Sequence, residues 1–237
     1  MDFPLDLEGA IRPGLDITGN EIIIALKKRT RFKQNLEIYR PGLVVGQPGR
    51  SLLDYELNRI ECVHAELGRY TYASQEPYTD ISRAALIIER DPPPSPVIPF
   101  TSNMGPRILE RYISWITEGC SPGSNSDTWG ESVTADVAAL LSIQERINIG
   151  KYVAEFKFQK APDSFYAARN DPEALRALVV NREREMEVIQ GARQLAAHYS
   201  FDPDQAVRWF EWMIARTVEV EVAYLTRRLD QTERLPS

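Results

Sequence analysis

The sequence holds only two histidines, His64 and His198, and two cysteines, Cys62 and Cys120. With so few imidazoles and no Gly-x-Ser-x-Gly turn, a Ser-His-Asp hydrolase lacks its parts. The cysteines are far apart and in no metal-ligand spacing, which predicts free thiols in a reducing compartment and no metal site. Neither Gly-x-Gly-x-x-Gly nor Gly-x-x-x-x-Gly-Lys occurs, so the usual nucleotide cradles are missing. No stretch approaches the roughly 20 apolar residues that a membrane span requires. The start, Met1-Asp2-Phe3-Pro4-Leu5-Asp6, has none of the apolar run of a secretory signal. Basic charge is short as well: 28 basic against 34 acidic residues, net −6, argues against a nucleic-acid partner. These absences leave a cytoplasmic protein that uses no cofactor and acts by positioning and electrostatics.

What is present is helical periodicity, with no run of strand-like alternation. We read residues 1–237 as one all-α domain. A first helix is expected over about Leu15 to Phe32, with Ile22, Ile23 and Leu26 inward and the basic run Lys27, Lys28, Arg29, Arg31, Lys33 closing it, where cations favour the helix dipole. A second helix, Ser51 to Tyr70, is capped by Ser51 and lined by Leu53, Leu57, Ile60 and His64. Prolines from Pro92 to Pro106 predict a surface loop over about 91–106. A short helix over Arg107–Thr117 and a long one over Ser132–Lys160 follow. Asp171-Pro172 and Asp202-Pro203 open two more helices with an acidic cap and a first-turn proline.

Several of these helices carry charge where the pattern calls for core. The stripe Ala139, Ile143, Arg146, Gly150, Val153, Lys157 places two cations on one face, about 17 Å apart along the axis, with Gly150 and Val153 as a shallow floor. From Asp171 the stripe Leu178, Asn181, Glu185, Val188, Ala192, Leu195 is interrupted by Asn181 and Glu185. The last helix reads Phe210, Ile214, Thr217, Glu221, Leu225, with a hydroxyl and a carboxylate among apolar neighbours. Burying an ion costs several kcal/mol unless a partner compensates it. A salt-bridge network that only fixes helix register is one reading. A polar cavity built to hold an anion is the other, and off-pattern residues on three helices favour it.

The run Gln144-Glu145-Arg146-Ile147-Asn148-Ile149-Gly150-Lys151-Tyr152-Val153-Ala154-Glu155-Phe156-Lys157-Phe158-Gln159 resembles the central helix of the all-helical chorismate mutases of fungi and plants. Thr217 to Leu229 resembles their C-terminal helix, and Ser51 to Tyr55 with Glu61, His64 and Ser74 to Tyr78 resembles their second helix and the loop after it. With Ile11-Arg12, the similarity spans nearly the whole chain. The resemblance implies an isomerase of aromatic amino-acid biosynthesis that rearranges chorismate to prephenate without a cofactor, as a homodimer. It assigns Arg146, Lys157 and Glu221 to catalysis. Arg12 and Arg146 would hold carboxylates with Asn181 and Thr217 assisting, Glu185 would take the ring hydroxyl, and a protonated Glu221 would flank the ether oxygen with Lys157.

The chain also departs from the family's pattern. Arg12-Pro13-Gly14 and Thr18-Gly19-Asn20 replace a well-formed helix start, and each glycine costs about 0.5–1 kcal/mol of helix stability, which predicts that Arg12 lies on a fraying end. Arg69, Gly130 and Thr134 match the effector-binding positions of the regulated fungal enzymes. Gly68 and Glu131, however, stand where an arginine and a serine would be, so a solvated surface is expected there instead of a tyrosine or tryptophan site. Two alternatives stay open: a paralogue acting on isochorismate or an amino-deoxychorismate, and a weakened homologue that binds or regulates.

Overall fold

Local chemistry sets the helix boundaries. In the computed structural model, which describes residues 5–89, 91 and 94–232, Ser51 Oγ accepts from Asp54 N at 3.0 Å and opens helix α2, Leu52–Glu66. Asp171 caps a helix through Glu173 N and Ala174 N, and Asp202 caps the last one through Asp204 N at 2.8 Å. The helices are α1 (Arg12–Arg29), α2, α3 (Gly105–Gly119), α4 (Trp129–Asn148), α5 (Gly150–Lys160), α6 (Pro162–Ala168), α7 (Pro172–Val179), α8 (Arg182–His198) and α9 (Pro203–Thr232). No strand occurs among the described residues, and the fold is all-α as expected. None of their helices is long and apolar enough to cross a membrane.

Several boundaries differ from those expected. The helix expected over Ser132–Lys160 starts at Trp129 and is interrupted at Ile149, whose dihedrals stay helical (φ −59°, ψ −22°), so α5 continues α4 with little change of course. The helix expected from Asp171 breaks at Val180 and Asn181, where the backbone is extended, giving α7 and α8. Alpha-helix α6 went unread because its seven residues show too little periodicity. Pro106 belongs to α3, at the first turn where proline fits. Pro92, Pro93 and the first four residues lie outside the described residues. Helix α2 stops at Glu66 because Gly68 takes a left-handed conformation, φ 80°.

Helix α9 packs against α4, α5, α7 and α8, and α1 packs against α4 and α8. Apolar side chains bury two clusters along this frame. One gathers Ile22, Ile23, Leu26, Leu53, Leu57, Ile143 and Trp209; the other gathers Ile11, Tyr152, Phe165, Leu175, Tyr224 and Leu225. Polar residues of α1, α4, α5, α8 and α9 converge between them.

Candidate active site

A cavity of about 180 Å³ opens where α1, α4, α5, α8 and α9 meet. Arg12, Arg146, Lys157, Asn181, Glu185, Thr217 and Glu221 all line it. These seven residues come from five helices and span more than two hundred positions of sequence. Leu15, Val153, Val188 and Ile214 supply much of the apolar remainder of the wall.

Arg146 is 6% exposed. Its Nη1 donates to the Leu15 carbonyl of α1, and its guanidinium lies over the Phe210 ring, 5.0 Å from the centroid. Gly19 lies beside both, where a Cβ would make ordinary contact with Nη1 at 3.4 Å and with the ring at 3.5 Å. The glycine that weakens α1 as a helix is thus the place where Arg146 comes close. Burial lowers this arginine's pKa to about 10, with Arg184 adding to the fall and Asp16 opposing it. It remains a cation at neutral pH.

Lys157 of α5 and Glu221 of α9 meet in the same cavity. Lys157 Nζ stands 3.2 Å from Glu221 Oε2 and also donates to the Val179 carbonyl. Desolvation pushes the Glu221 carboxyl up to about 7, against the pull of Lys157 and with a small push from Glu185. Near neutrality the group is divided between an acid that donates and a carboxylate that accepts. Gly150 is not the floor that the helical stripe implied. A Cβ there would lie 2.8 Å from Thr217 Cγ2, so the glycine lets α5 and α9 close on one another, and Val153 lines the wall.

The remaining groups are oriented by their own helices. Asn181 is the N-cap of α8: its Oδ1 accepts from Arg184 N at 3.0 Å, which fixes the side chain at the cavity wall. Thr217 Oγ1 donates to Met213 O at 2.9 Å, leaving its lone pairs for the cavity. The Glu185 carboxylate accepts from Arg182 at 2.9 Å. Arg12 is not on a fraying end. A π-helical turn, Leu7–Ile11, precedes it, capped by Asp6 and anchored by the fully buried Ile11, and Arg12 pairs with Glu8.

One further cation, Arg184, is not marked by the sequence pattern as a site residue. It lines the cavity, ion-paired with Asp16 at 3.5 Å and Glu187 at 3.0 Å. In Arg182-Glu183-Arg184-Glu185 it looks like part of a solvated charge run. The signal was its spacing, three residues after Asn181 and four before Val188, on the cavity stripe.

The three suggested effector positions are not brought together within the chain. Arg69 donates to Glu145 at 3.0 Å and to Gln75 at 2.8 Å, whereas Thr134 bonds Glu56 and Gly130 lines a groove with Trp129. Thr134 and Glu145 are eleven residues apart on α4, about 17 Å along its axis.

The family model for chorismate mutase type II matches residues 130–222. A chorismate mutase of Schizosaccharomyces pombe is 28% identical over 239 residues, which cover 92% of this chain and 95% of that one. A maize protein named chorismate mutase 2, cytosolic, is 25% identical, covering 93% and 95%. The crystal structure of the Candida albicans chorismate mutase in complex with L-Trp superposes with a TM-score of 0.89 at 23% identity, covering 95% of this chain and 92% of that one. Residues 130–222 thus match the type II chorismate mutase family, and the chain as a whole is similar in sequence and fold to the all-helical enzymes of fungi and plants.

Proposed function

We propose that the cavity binds chorismate and converts it to prephenate, with Arg146, Lys157 and Glu221 catalytic and Arg12, Asn181, Glu185 and Thr217 binding substrate. The observation that carries this reading is the Lys157–Glu221 pair, 3.2 Å apart among apolar side chains, in the same cavity as the buried guanidinium of Arg146. Two arginines and a lysine suit a dicarboxylate. The pair suits an ether oxygen that gains charge as its C–O bond breaks.

The rearrangement forms one C–C bond and breaks one C–O bond within a single molecule, so it needs no nucleophile. Holding the enolpyruvyl arm in its folded conformer converts lost freedom into rate. Arg12 and Arg146 supply the clamp for that arm and the ring. Lys157, and Glu221 in its neutral form, donate to the ether oxygen, and donors fixed in advance stabilise charge that appears only in the transition state. A millionfold gain needs about 8 kcal/mol, within reach of conformer restriction combined with two donors in a dry site.

By the same reading the protein acts in aromatic amino-acid biosynthesis, as a homodimer in the cytoplasm, and without tyrosine or tryptophan control. Gly68 supports the last point, since its left-handed φ of 80° would strain an arginine at that position. The deciding experiment follows chorismate absorbance with purified protein, with isochorismate in parallel. Loss of chorismate with prephenate formed is the expected result. Turnover of isochorismate alone would reassign the substrate, and turnover of neither would overturn the reading.

A further inference from the structure

Past Arg146 and Arg184 the cleft continues into a second cavity of about 490 Å³ between α1 and α8, walled by Asn20, Gln194 and His198. Both arginines belong to the walls of both spaces. Arg184 therefore stands at the junction, with its side chain 32% exposed. The partners that hold it are weak ones. Asp16 is 64% exposed and reaches it only at 3.5 Å, and Glu187 is 57% exposed one turn along the same helix. Water screens such pairs, and exposed examples contribute about 0–1 kcal/mol. Arg146 and Arg184 are also close enough to repel, and that repulsion helps lower the pKa of the buried guanidinium. Two cations held side by side at the mouth of a pocket call for an anion between them.

We propose that Arg184 is a specificity-determining residue that leaves Asp16 on ligand binding and gives a substrate carboxylate a second guanidinium beside Arg146. This rests on the reading of the cavity as a site for a dicarboxylate. Asp16 then acts as a stand-in carboxylate that occupies Arg184 while the site is empty. Because the contact exists in both the bound and the transition state, Arg184 acts on affinity more than on the chemical step.

The test measures kcat and KM with chorismate, and calorimetric affinity for prephenate, in the parent protein, Arg184→Ala, Arg184→Lys and Asp16→Asn. A charge-assisted hydrogen bond lost from a bound carboxylate predicts that KM and the prephenate Kd rise about tenfold in Arg184→Ala, with kcat changed less than about threefold. Arg184→Lys should recover part of the loss, and Asp16→Asn should lower KM about twofold by freeing the arginine. An active parent whose Arg184→Ala variant keeps its KM, or loses kcat alone, overturns the role of Arg184 while leaving the proposed reaction intact. Prephenate binding weakened by Arg184→Ala in a parent that does not turn over chorismate supports the carboxylate contact and overturns the reaction. A parent that binds neither chorismate nor prephenate overturns both.

Discussion

Two buried arginines in this molecule have opposite surroundings. Arg29 has five N–H groups and uses all five: Asp136 at 2.7 Å, the carbonyls of Lys33 at 2.9 Å and Gln34 at 2.7 Å, Tyr39 OH at 3.2 Å and Cys120 Sγ at 3.4 Å. Its partner Asp136 also accepts from Tyr39 and Tyr112, both at 2.8 Å. Arg146 makes one hydrogen bond among the described residues, to the Leu15 carbonyl, and rests its face on Phe210. Both are charges taken out of water, a state that is costly unless compensated. Arg29 is compensated by the protein itself, whereas most of Arg146's donors face a cavity. Burial of charge does not mark a site; unsatisfied donors aimed at a cavity do.

That difference can be broken most decisively by removing one charge from each region. Lys157→Ala and Arg146→Ala should each lower chorismate turnover by about a thousandfold or more, as loss of transition-state donors does, while circular dichroism and melting temperature stay near those of the parent. Arg12→Ala should approach the Arg146→Ala loss, because the turn before Arg12 anchors it. Full activity in a folded Lys157→Ala protein would remove the site. Asp136→Ala should do the reverse. Stripping the partner from a fully buried arginine costs about 3–5 kcal/mol, seen as a lower denaturation midpoint, while the molecules that remain folded turn over at the parental rate.

The same contrast measures how far the sequence could be read. The stripes through Arg146, Lys157 and Glu221 were legible because an ion on an apolar stripe is conspicuous, and all three line one cavity. Arg29 was not, since it sits in a run of five basic residues and looks like a solvated helix end, yet it is fully buried. Lys151 and Glu155 lie in the most family-like stretch but serve structure: Lys151 reaches the carbonyls of Ala73 and Phe100, and Glu155 accepts from Tyr224 and Arg228. Asn181 was assigned to the site through the wrong local structure, as an interruption within a helix when it is the cap that starts one. Periodicity shows which face is buried. Whether a buried ion meets the protein or a cavity depends on long-range partners that periodicity does not contain.

A smaller, graded effect comes from pH. Glu221 is held near pH 7 chiefly by desolvation, so it is neutral below that value and loses its proton above it. The donating form is therefore lost as pH rises, and kcat/KM, which follows ionisation of the free enzyme, should fall about tenfold per pH unit above neutrality. Glu221→Gln keeps a donor that cannot ionise and should flatten that limb. A variant profile that declines in parallel with the parent's would assign the titration to another group.

The smallest effect expected is that of amino-acid effectors. For tyrosine or tryptophan to act, a site must prefer an amino-acid carboxylate in one state of the protein over another, and coupling of that kind changes affinity by about 5–150-fold. Here Arg69 is engaged by Glu145 and Gln75, and the groove at Gly130 presents the Glu56 carboxylate beside Arg59. An added carboxylate would find Arg69 already occupied, and at the separate Gly130 groove it would meet the Glu56 carboxylate. Either amino acid at millimolar concentration should therefore change the initial rate by less than about twofold, below the range of allosteric coupling, with hyperbolic saturation by chorismate throughout. Sigmoidal saturation that tryptophan abolishes would show that a different set of residues binds an effector. If Arg69→Ala then removed the response, the pairing with Glu145 would have to open on binding, and Arg69 would join Arg146 among the cations whose partner is a ligand.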